Sequence, residues 1–434
     1  GLDIDQRAYQ LAYFAVMMKG RGYNRRFLRG RDGKPEPKVY AIVESNEINR
    51  NHLKFFGAHL SDMERNLAVM QIEGLLDTFI DAREYGSILN VDTCDWDVLE
   101  RFVEDLGTAG QISFESVGSE ETQEQLRKLV RVAKNLGQKY DVVVTNPPYM
   151  GASGMGVKLS KYVKDNYPNS KSDLFAVFIE KCGEMAKKNG YQAMITQHAW
   201  MFLSSFEKLR NKLQMMDIVN MAHLGPRAFE EIGGEVVQTT SFVLRKSHIR
   251  QFKGMYCRLI EPTTQHGKEE MFLDGENRYY VEEDNFSKIP GSPVAYWANE
   301  NYMQLFNLPS ISTQSNACIG MRTGDNDRFL RFWYEVSFVN SIYNSISAEN
   351  AEQTDAKWIP YNKGGEYKKW YGNQEYVVNW KNNGFEIKEN TKRVYPQLGD
   401  NLGWKISNEN MYFKDHICWT DLTSRGLAFR YFPI

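Results

Sequence analysis

One strand-like run in this chain is stopped by two consecutive prolines. Residues 140–145 read Tyr-Asp-Val-Val-Val-Thr, and Asn146, Pro147, Pro148 and Tyr149 follow directly. Consecutive β-branched residues predict a buried strand. Proline fixes φ and lacks an N–H, so the chain must leave this strand in a rigid turn. In an open α/β sheet, ligands bind at the carboxyl ends of the strands, where this turn is predicted to lie.

The turn offers groups that suit a planar amine. The Asn146 side chain both donates and accepts hydrogen bonds, and the Pro147 carbonyl is a second acceptor. The Tyr149 ring provides a face on which a flat ring can stack. The four residues therefore predict a site for an amino group on a heteroaromatic ring or for a carboxamide. A turn that only ends a strand is the alternative.

Composition narrows the class of protein. The chain has 434 residues, 42% of them hydrophobic, and a net charge of −2, so it has room for two or three domains and no global basic field. No apolar run is long enough to span a membrane, and we expect no signal peptide. The cysteines form no CxxC pair, which predicts reduced thiols, a cytoplasmic location and no metal site. These cysteines are Cys94, Cys182, Cys257, Cys318 and Cys418.

Strand-like and helix-like segments alternate over the first 245 residues. This pattern predicts an α/β fold with a parallel, doubly wound sheet, finished by an antiparallel pair at 218–222 and 236–244. The pattern weakens from 246 to 310, and the chain then becomes rich in Trp, Tyr, Asn, Gly and Lys. We therefore predict a domain over 1–262, a connecting segment over 263–310 and the start of a second, mixed α+β domain over 311–434.

The segment from Asp141 to Tyr149 resembles motif IV of the amino-methyltransferases. These enzymes transfer a methyl group from S-adenosylmethionine to an exocyclic amine. The resemblance implies a Rossmann-like sheet, S-adenosylmethionine as cofactor, and Asn146, Pro147, Pro148 and Tyr149 as catalytic residues.

Three further segments resemble cofactor-binding motifs of that family. Asp3 and Ile4 stand where motif II places an acid for the ribose hydroxyls, and Asp3 fits better than Asp5. The helix start at Asp173 and Phe175 resembles motif V, which lines the adenine pocket. Glu44, after the predicted strand 38–43, stands where motif III acids contact the cofactor. Each acid could instead cap a helix or be solvated.

Residues 229–240 resemble the motif VIII loop, in which an aromatic ring packs on the far side of the extruded base. Phe229 is the candidate, together with Tyr149 on the other side. The alternative is a hairpin loop with a core phenylalanine.

Nearly the whole chain resembles the adenine-specific methyltransferases of BREX phage-defence systems, the PglX family. The resemblance rests on 1–5, 84–89, the Asn146 turn, 230–240, 320–329 and 357–366. Such proteins carry a target-recognition region after the catalytic domain, opened by a Thr-Gly-x-Asn-x-x-Phe element. Residues 323–329 fit that element.

One departure from the family pattern is large. The Gly-containing motif I, which cradles the methionine part of the cofactor, normally precedes motif II, yet this chain opens on motif II. We therefore expect an internal piece of a longer protein, whose sheet lacks its first strand and leaves two strand edges unpaired.

The resemblance also implies double-stranded DNA as substrate, with other phage-defence proteins as possible partners and no metal. An adenine in a duplex must be swung out to be reached. Basic residues between aromatics suit phosphates, although a solvated face explains them equally well. Candidate DNA contacts are Arg25, Arg26, Thr323, Asn326, Lys363 and Lys368.

Two other functions fit the same residues. A protein glutamine methyltransferase would hold a side-chain carboxamide at the same turn, although the long region after Ile319 argues against it. A DNA-recognition or assembly module without activity of its own is the third possibility, because motif I is missing.

Overall fold

The structure is a computed structural model that describes residues 1–29, 36–107, 117–229, 237–420 and 427–433. The chain divides into two compact units, Gly1–Leu308 and Pro309–Ile434. In the described ranges, no helix is both long and apolar enough to cross a membrane.

Short strands and longer helices alternate through the first unit. Its strands are β1 (Leu2–Asp3), β2 (Tyr40–Ala41), β3 (Tyr140–Thr145), β4 (Ala186–Gln197), β5 (Asp217–Gly225), β6 (Thr239–Arg245), β7 (Lys253–Arg258) and β8 (Arg278–Glu282). Its helices are α1 (Gln6–Tyr23), α2 (Asp62–Thr78), α3 (Ala82–Tyr85), α4 (Trp96–Glu104), α5 (Ser119–Gly137), α6 (Val157–Asn166), α7 (Leu174–Met185), α8 (Glu207–Leu213), α9 (Gln265–Asp274) and α10 (Glu300–Leu305).

The main sheet of the first unit is mixed. Its strand order is β3-β4-β6-β5-β7-β8. The pairs β3–β4 and β5–β7 are parallel, whereas β6 runs antiparallel to both β4 and β5, and β8 runs antiparallel to β7. The predicted antiparallel pairing of the last two strands is thus confirmed for β5 and β6. Strand β8 comes from the segment 263–310, which the weak sequence pattern described only as a connection.

Strand β3 is not buried, which corrects the prediction from its valines. It lies at one end of the sheet order and, among the described strands, pairs with β4 alone. Val142 and Val144 point to the same side of the strand, because side chains alternate along it. They are 55% and 71% exposed, so nothing in the described residues covers that face. The β-branched run predicted the strand correctly but could not show whether both of its faces are covered.

A separate pair of strands carries the first acidic motif. Strands β1 and β2 pair in parallel, with Leu2 opposite Tyr40 and Asp3 opposite Ala41. The predicted strand over 38–43 is therefore shorter in the structure. Parallel pairing brings the carboxyl ends of both strands to one side, so the residues that follow them share an edge.

Helices α2, α4 and α5 surround one hydrophobic core. On α5, Leu126, Leu129, Val130 and Ala133 recur at helical spacing and are fully or almost fully buried. Helix α2 begins with a capping box, in which Ser61 and Glu64 each bond to the backbone N–H of the other.

A second core lies between the main sheet and helices α7 and α8, and it includes Trp200 and Phe242. Two buried polar groups connect the segment after α3 to helices α6 and α7. The hydroxyl of Tyr167 donates to the Ile88 carbonyl at 2.6 Å, and Lys181 Nζ donates to the Leu89 carbonyl at 2.7 Å. Burial lowers the pKa of Lys181 to about 8. The cost of burying this amine is offset only while it keeps its acceptors, the Leu89 carbonyl and Oδ1 of Asn90.

The second unit contains two small antiparallel sheets. The first has the order β10-β11-β9, and the second pairs β12 with β13. Phe329, Trp380 and Ile387 are central in its hydrophobic core. The strands are β9 (Leu330–Phe332), β10 (Trp358–Tyr361), β11 (Tyr376–Asn379), β12 (His416–Cys418) and β13 (Arg430–Phe432). The helices are α11 (Asn326–Phe329), α12 (Ala348–Gln353) and α13 (Lys381–Val394), which is kinked near its start.

We predict that Gly86→Ala destabilises the first unit by about 2 kcal/mol. Gly86 has a φ of +60°, which costs an L-residue about 1–2 kcal/mol. A β-carbon there would also lie 2.8 Å from Cγ2 of Ile4. Urea denaturation of the variant and the parent chain measures the difference.

Gly74→Ala is the matched control. Gly74 lies inside α2, and a β-carbon there meets nothing within 4 Å. Alanine should raise stability by about 0.5–1 kcal/mol at this position. Equal effects of the two substitutions would contradict the conformational requirement at Gly86.

Candidate active site

The turn after β3 combines an exposed polar side chain with a buried proline. Asn146 is exposed, whereas Pro147 is buried. No described residue forms a hydrogen bond with the Asn146 side chain or with the Pro147 carbonyl. The amide and the carbonyl therefore remain available to a ligand. Because the prolines restrict the backbone, the turn loses little conformational entropy when a ligand binds.

Tyr149 is held at the side of the sheet. Its hydroxyl donates to the Ile195 carbonyl on β4 at 3.3 Å, and its ring meets Phe175 edge to face, with centroids 6.1 Å apart. Burial raises the pKa of Tyr149 to about 12, so the phenol keeps its proton. The ring is half-buried, which leaves part of it accessible beside Asn146.

Asp173 joins the turn to the start of α7. One carboxylate oxygen, Oδ1, accepts the N–H of Met150 at 3.0 Å and the N–H of Phe175 at 3.3 Å. The second bond is an N-cap, because Asp173 precedes the first residue of α7. Burial raises the pKa of this carboxyl group, although the backbone N–H groups act in the opposite direction.

Backbone hydrogen bonds strengthen the same connection. The N–H of Leu174 donates to the Met150 carbonyl, and the N–H of Ala152 donates to the Ser172 carbonyl, both at 3.0 Å. Gly151 and Asp173 form an isolated antiparallel bridge. The structure thus brings together the turn and the helix start, which lie about 25 residues apart in the sequence.

The predicted acidic residues differ in what they already bind. Asp5 caps α1 by accepting the N–H groups of Arg7 and Ala8, which lower its pKa. Asp3, at the end of β1, is exposed, and among the described residues it accepts only the N–H of Asp5, through one oxygen. Asp3 is therefore the freer carboxylate of the two.

Glu44 follows β2 and faces Arg83. Its carboxylate accepts the Arg83 backbone N–H at 3.3 Å and lies 3.9 Å from the guanidinium. Ile4 is exposed, and its Cγ2 approaches Gly86 so closely that a β-carbon there would lie 2.8 Å from it. Asp3, Ile4 and Glu44 thus belong to one edge, formed by β1, β2 and the segment around α3.

Phe229 lies four residues beyond the end of β5 and is half-buried. No ring contact joins it to Tyr149 in the described part of the chain. Residues 230–236, which make up much of the predicted motif VIII loop, lie outside the described residues.

A family model described as "Eco57I restriction-modification methylase" matches residues 1–228, which is more than half of the chain. The chain belongs to the Eco57I restriction-modification methylase family. All the residues of the turn, the helix start and the two acidic strand ends lie inside the matched range.

Two curated relatives match the entire chain. The adenine-specific methyltransferase PglX of Lacticaseibacillus casei (strain Zhang) is 40% identical over 444 residues, which are 36% of its length. The adenine-specific methyltransferase BrxX of Escherichia coli O9:H4 (strain HS) is 35% identical over 453 residues, 35% of its length. The chain thus spans about a third of the length of these relatives.

Solved structures give a weaker likeness. A nuclease-deletion mutant of the Type ISP restriction-modification enzyme LlaGI, in complex with a DNA substrate mimic, matches with a TM-score of 0.40 and 12% identity. The match covers 81% of this chain and 24% of that one.

The candidate DNA contacts of this Eco57I-family chain fall into two groups by accessibility. Arg25 and Arg26 follow α1, are exposed and form no ion pair with a described residue. Lys368 is exposed and lies 3.7 Å from Glu375, whereas Lys363 is half-buried over the Tyr376 ring, 4.4 Å from its centroid. The two arginines are thus the less engaged cations.

Thr323 was predicted to contact DNA, and the structure corrects this. Its side chain is 2% exposed, and its hydroxyl donates to Oδ1 of Asn326 at 2.6 Å. Asp325 caps the short helix α11 by accepting the Arg328 N–H. The Thr-Gly-x-Asn element is therefore a helix-start turn, in which the threonine is used internally and Asn326 remains exposed.

A pair of histidines beyond β4 was not predicted. Nδ1 of His198 lies 2.8 Å from Nε2 of His223, and Nδ1 of His223 lies 2.9 Å from the Tyr296 hydroxyl. Burial lowers the pKa of His223 to about 3, so the ring is neutral. The pair depends on strand register, because both His198 and His223 flank the start of β6. No local sequence motif encodes that register.

We predict that Asp173→Ala destabilises the first unit by about 1–2 kcal/mol, because it removes the cap of α7 and the acceptor for Met150. Denaturant unfolding measures the loss. Asp165→Ala is the control, since Asp165 forms only an exposed pair with Lys161 within α6 and should contribute a few tenths of a kcal/mol. A loss no larger than that of the control would show that Asp173 does not hold the turn.

Proposed function

We propose that this chain is the catalytic and early recognition part of an adenine-specific DNA methyltransferase. One observation carries the proposal. The Asn146 amide and the Pro147 carbonyl have no partner in the described structure, and they lie at a rigid turn beside the half-buried ring of Tyr149. Family membership and the names of the two full-chain relatives support adenine as the substrate base.

The turn would act by positioning the base. Adenine would leave the duplex, and its exocyclic amine would donate to the Asn146 side-chain oxygen and the Pro147 carbonyl. These bonds orient the nitrogen lone pair toward the methyl donor. Tyr149, with Phe229 on the opposite side, would stack on the ring. Such positioning supplies a large part of the rate without a covalent enzyme intermediate or a metal.

S-adenosylmethionine would supply the methyl group. Asp3 suits its ribose hydroxyls, because the carboxylate is exposed and one of its oxygens accepts no hydrogen bond from a described residue. Phe175 and Asp173 would border the adenine pocket, but Asp173 acts chiefly by holding the turn. Ile4 and Glu44 lie at the same edge as Asp3. There the Glu44 carboxylate accepts the backbone N–H of Arg83.

We also propose that the two sheets of the first unit are parts of one doubly wound sheet. Among the described strands, β3 has no partner on one edge and β1 pairs only with β2, and Val142 and Val144 of β3 are exposed. An additional strand between β1 and β3 would satisfy both edges. In the proposed arrangement, residues 1–262 belong to the methyltransferase domain, 263–310 lead out of it, and 311–434 begin the target-recognition domain.

The proposed substrate is double-stranded DNA in the cytoplasm, within a phage-defence or restriction-modification system. Other defence proteins are the proposed partners. Arg25, Arg26 and Lys368 are the proposed phosphate contacts, Lys363 contributes from its position over Tyr376, and Asn326 remains available in the second unit.

We predict that Asn146→Ala in the full-length protein lowers DNA methylation by about a hundredfold or more, because the amine loses its orienting group. DNA binding should change little, because an exposed amide adds few phosphate contacts. Transfer of labelled methyl to DNA and a filter-binding assay measure the two quantities.

Asn166→Ala is the matched control, since Asn166 donates only to the Tyr162 carbonyl at the end of α6. Label that enters protein instead of DNA would favour the glutamine methyltransferase. No methylation by the parent protein, together with intact DNA binding, would favour an inactive recognition or assembly module. Full activity of Asn146→Ala would reject the role of the turn.

We further predict that the 434-residue chain binds S-adenosylmethionine much more weakly than the full-length protein does. The described residues supply ribose and adenine contacts but no Gly-containing turn for the methionine part. Calorimetry on both proteins tests this, with Asp3→Asn in the full-length protein as a check on the ribose contact. Micromolar binding by the 434-residue chain would show that its own residues complete the cofactor site.

A further inference from the structure

The second unit contains a cavity of about 630 Å³. This volume lies in the range of pockets that hold small organic ligands. Aromatic side chains form much of its wall, namely Tyr343, Tyr361, Tyr412, Phe413 and Trp419. Several rings around one cavity offer the faces on which a flat heteroaromatic ring stacks.

A fixed amide lies in the wall of this cavity. Nδ2 of Asn362 lies 2.8 Å from Nε2 of His416, and Nδ1 of His416 lies 2.9 Å from the Lys414 carbonyl. A carbonyl only accepts, so Nδ1 of His416 carries a proton, and Nε2 is assigned as the acceptor of one amide N–H of Asn362. The other amide N–H and the Oδ1 of Asn362 have no partner in the described structure. His416 thus holds a donor and an acceptor side by side in a defined orientation.

Positive charge lines the same cavity. Arg322 and Lys414 are exposed, and neither forms an ion pair with a described residue. Asp415 is the acidic residue of the lining, and it raises the pKa of the exposed Tyr431 through a hydrogen bond. The two cations favour an anionic group at the wall, and the aromatic rings favour a planar one.

The backbone of the lining is held in a costly conformation. Phe413 has a φ of +55° and Asn408 a φ of +54°, and both lie on the loop that lines the cavity. A bulky residue such as phenylalanine rarely adopts this region, and strain of this kind is concentrated at ligand sites. The strain places the Phe413 ring in the wall.

We propose that this cavity binds a nucleotide whose base carries an amine next to a ring nitrogen, as adenine does. Oδ1 of Asn362 would accept from the amine, and its free N–H would donate to the ring nitrogen. The aromatic side chains would stack on the base, and Arg322 and Lys414 would face the phosphate. The nucleotide would be either free or part of a DNA strand. The proposal does not rest on methyl transfer, because it concerns residues of the second unit alone.

The test uses the whole 434-residue chain and two ligands. Calorimetry compares AMP with purine riboside 5′-monophosphate, which has the same ring and phosphate but no amine. We expect AMP to bind about tenfold more tightly, because its amine donates a hydrogen bond to Asn362 that the amine-free analogue cannot form. Ribose 5-phosphate, which lacks the base, should not bind measurably.

Asn362→Leu keeps the size of the side chain but removes both hydrogen-bonding groups. It should reduce the preference for AMP over the amine-free analogue from about tenfold to about one. His416→Ala should reduce that preference partly, because Asn362 is then free to rotate. Asn340→Leu is the matched control, since Asn340 is exposed in the same unit and outside the cavity. Asn146→Ala checks that binding does not occur at the turn after β3.

Oligonucleotides distinguish the two sources of the ligand. If a single-stranded dA oligomer binds, depends on Asn362 and is displaced by AMP, the site accepts the base from either source. If AMP alone depends on Asn362, the ligand is a free nucleotide. If the dA oligomer alone does, the ligand is DNA. The proposal is overturned if neither AMP nor the dA oligomer binds, or if Asn362→Leu keeps the full preference for the amine.

Discussion

The carboxylate of Asp173 holds the candidate active site together. By itself the proline turn fixes only local backbone angles, and it needs a second attachment to have a defined place in the fold. Asp173 provides it by accepting the Met150 N–H while it caps α7, and backbone hydrogen bonds continue the connection on both sides. Helix α7, which packs against the main sheet, thus sets the position of the exposed Asn146 amide. Such attachment to regular elements is what keeps a binding group in place at low entropic cost.

The other edge of the site depends on close backbone approach. Ile4 packs against Gly86, whose positive φ and lack of a β-carbon permit the contact. Tyr167 and Lys181 then bind the carbonyls of the next residues, Ile88 and Leu89. Through these contacts the segment after α3 links the acidic end of β1 to helices α6 and α7. The segment Glu84–Leu89 therefore has a structural role, because it connects these elements. The Lys181 amine that binds it is buried, and burial lowers the pKa of that amine.

Local patterns predicted some of these features well. Two prolines after a β-branched run located the end of β3, and an acid before an apolar run located the start of α7. Other features depend on the environment of a residue in three dimensions. The valines of β3 could not show that one face is uncovered, and the Thr-Gly-x-Asn pattern could not show that Thr323 is buried. The His198–His223 pair arises from strand registers on either side of β6, so no linear spacing encodes it. Likewise, the Asn362–His416 contact joins residues 54 positions apart.

The uncovered strand β3 also affects the association state of this chain in solution. An edge strand carries a row of backbone donors and acceptors, and here exposed valines accompany it. Such an edge is a template for β-pairing with another molecule, including a second copy of itself. The 434-residue chain should therefore self-associate as its concentration rises. Analytical ultracentrifugation would detect the decreasing fraction of monomer without any assay of activity.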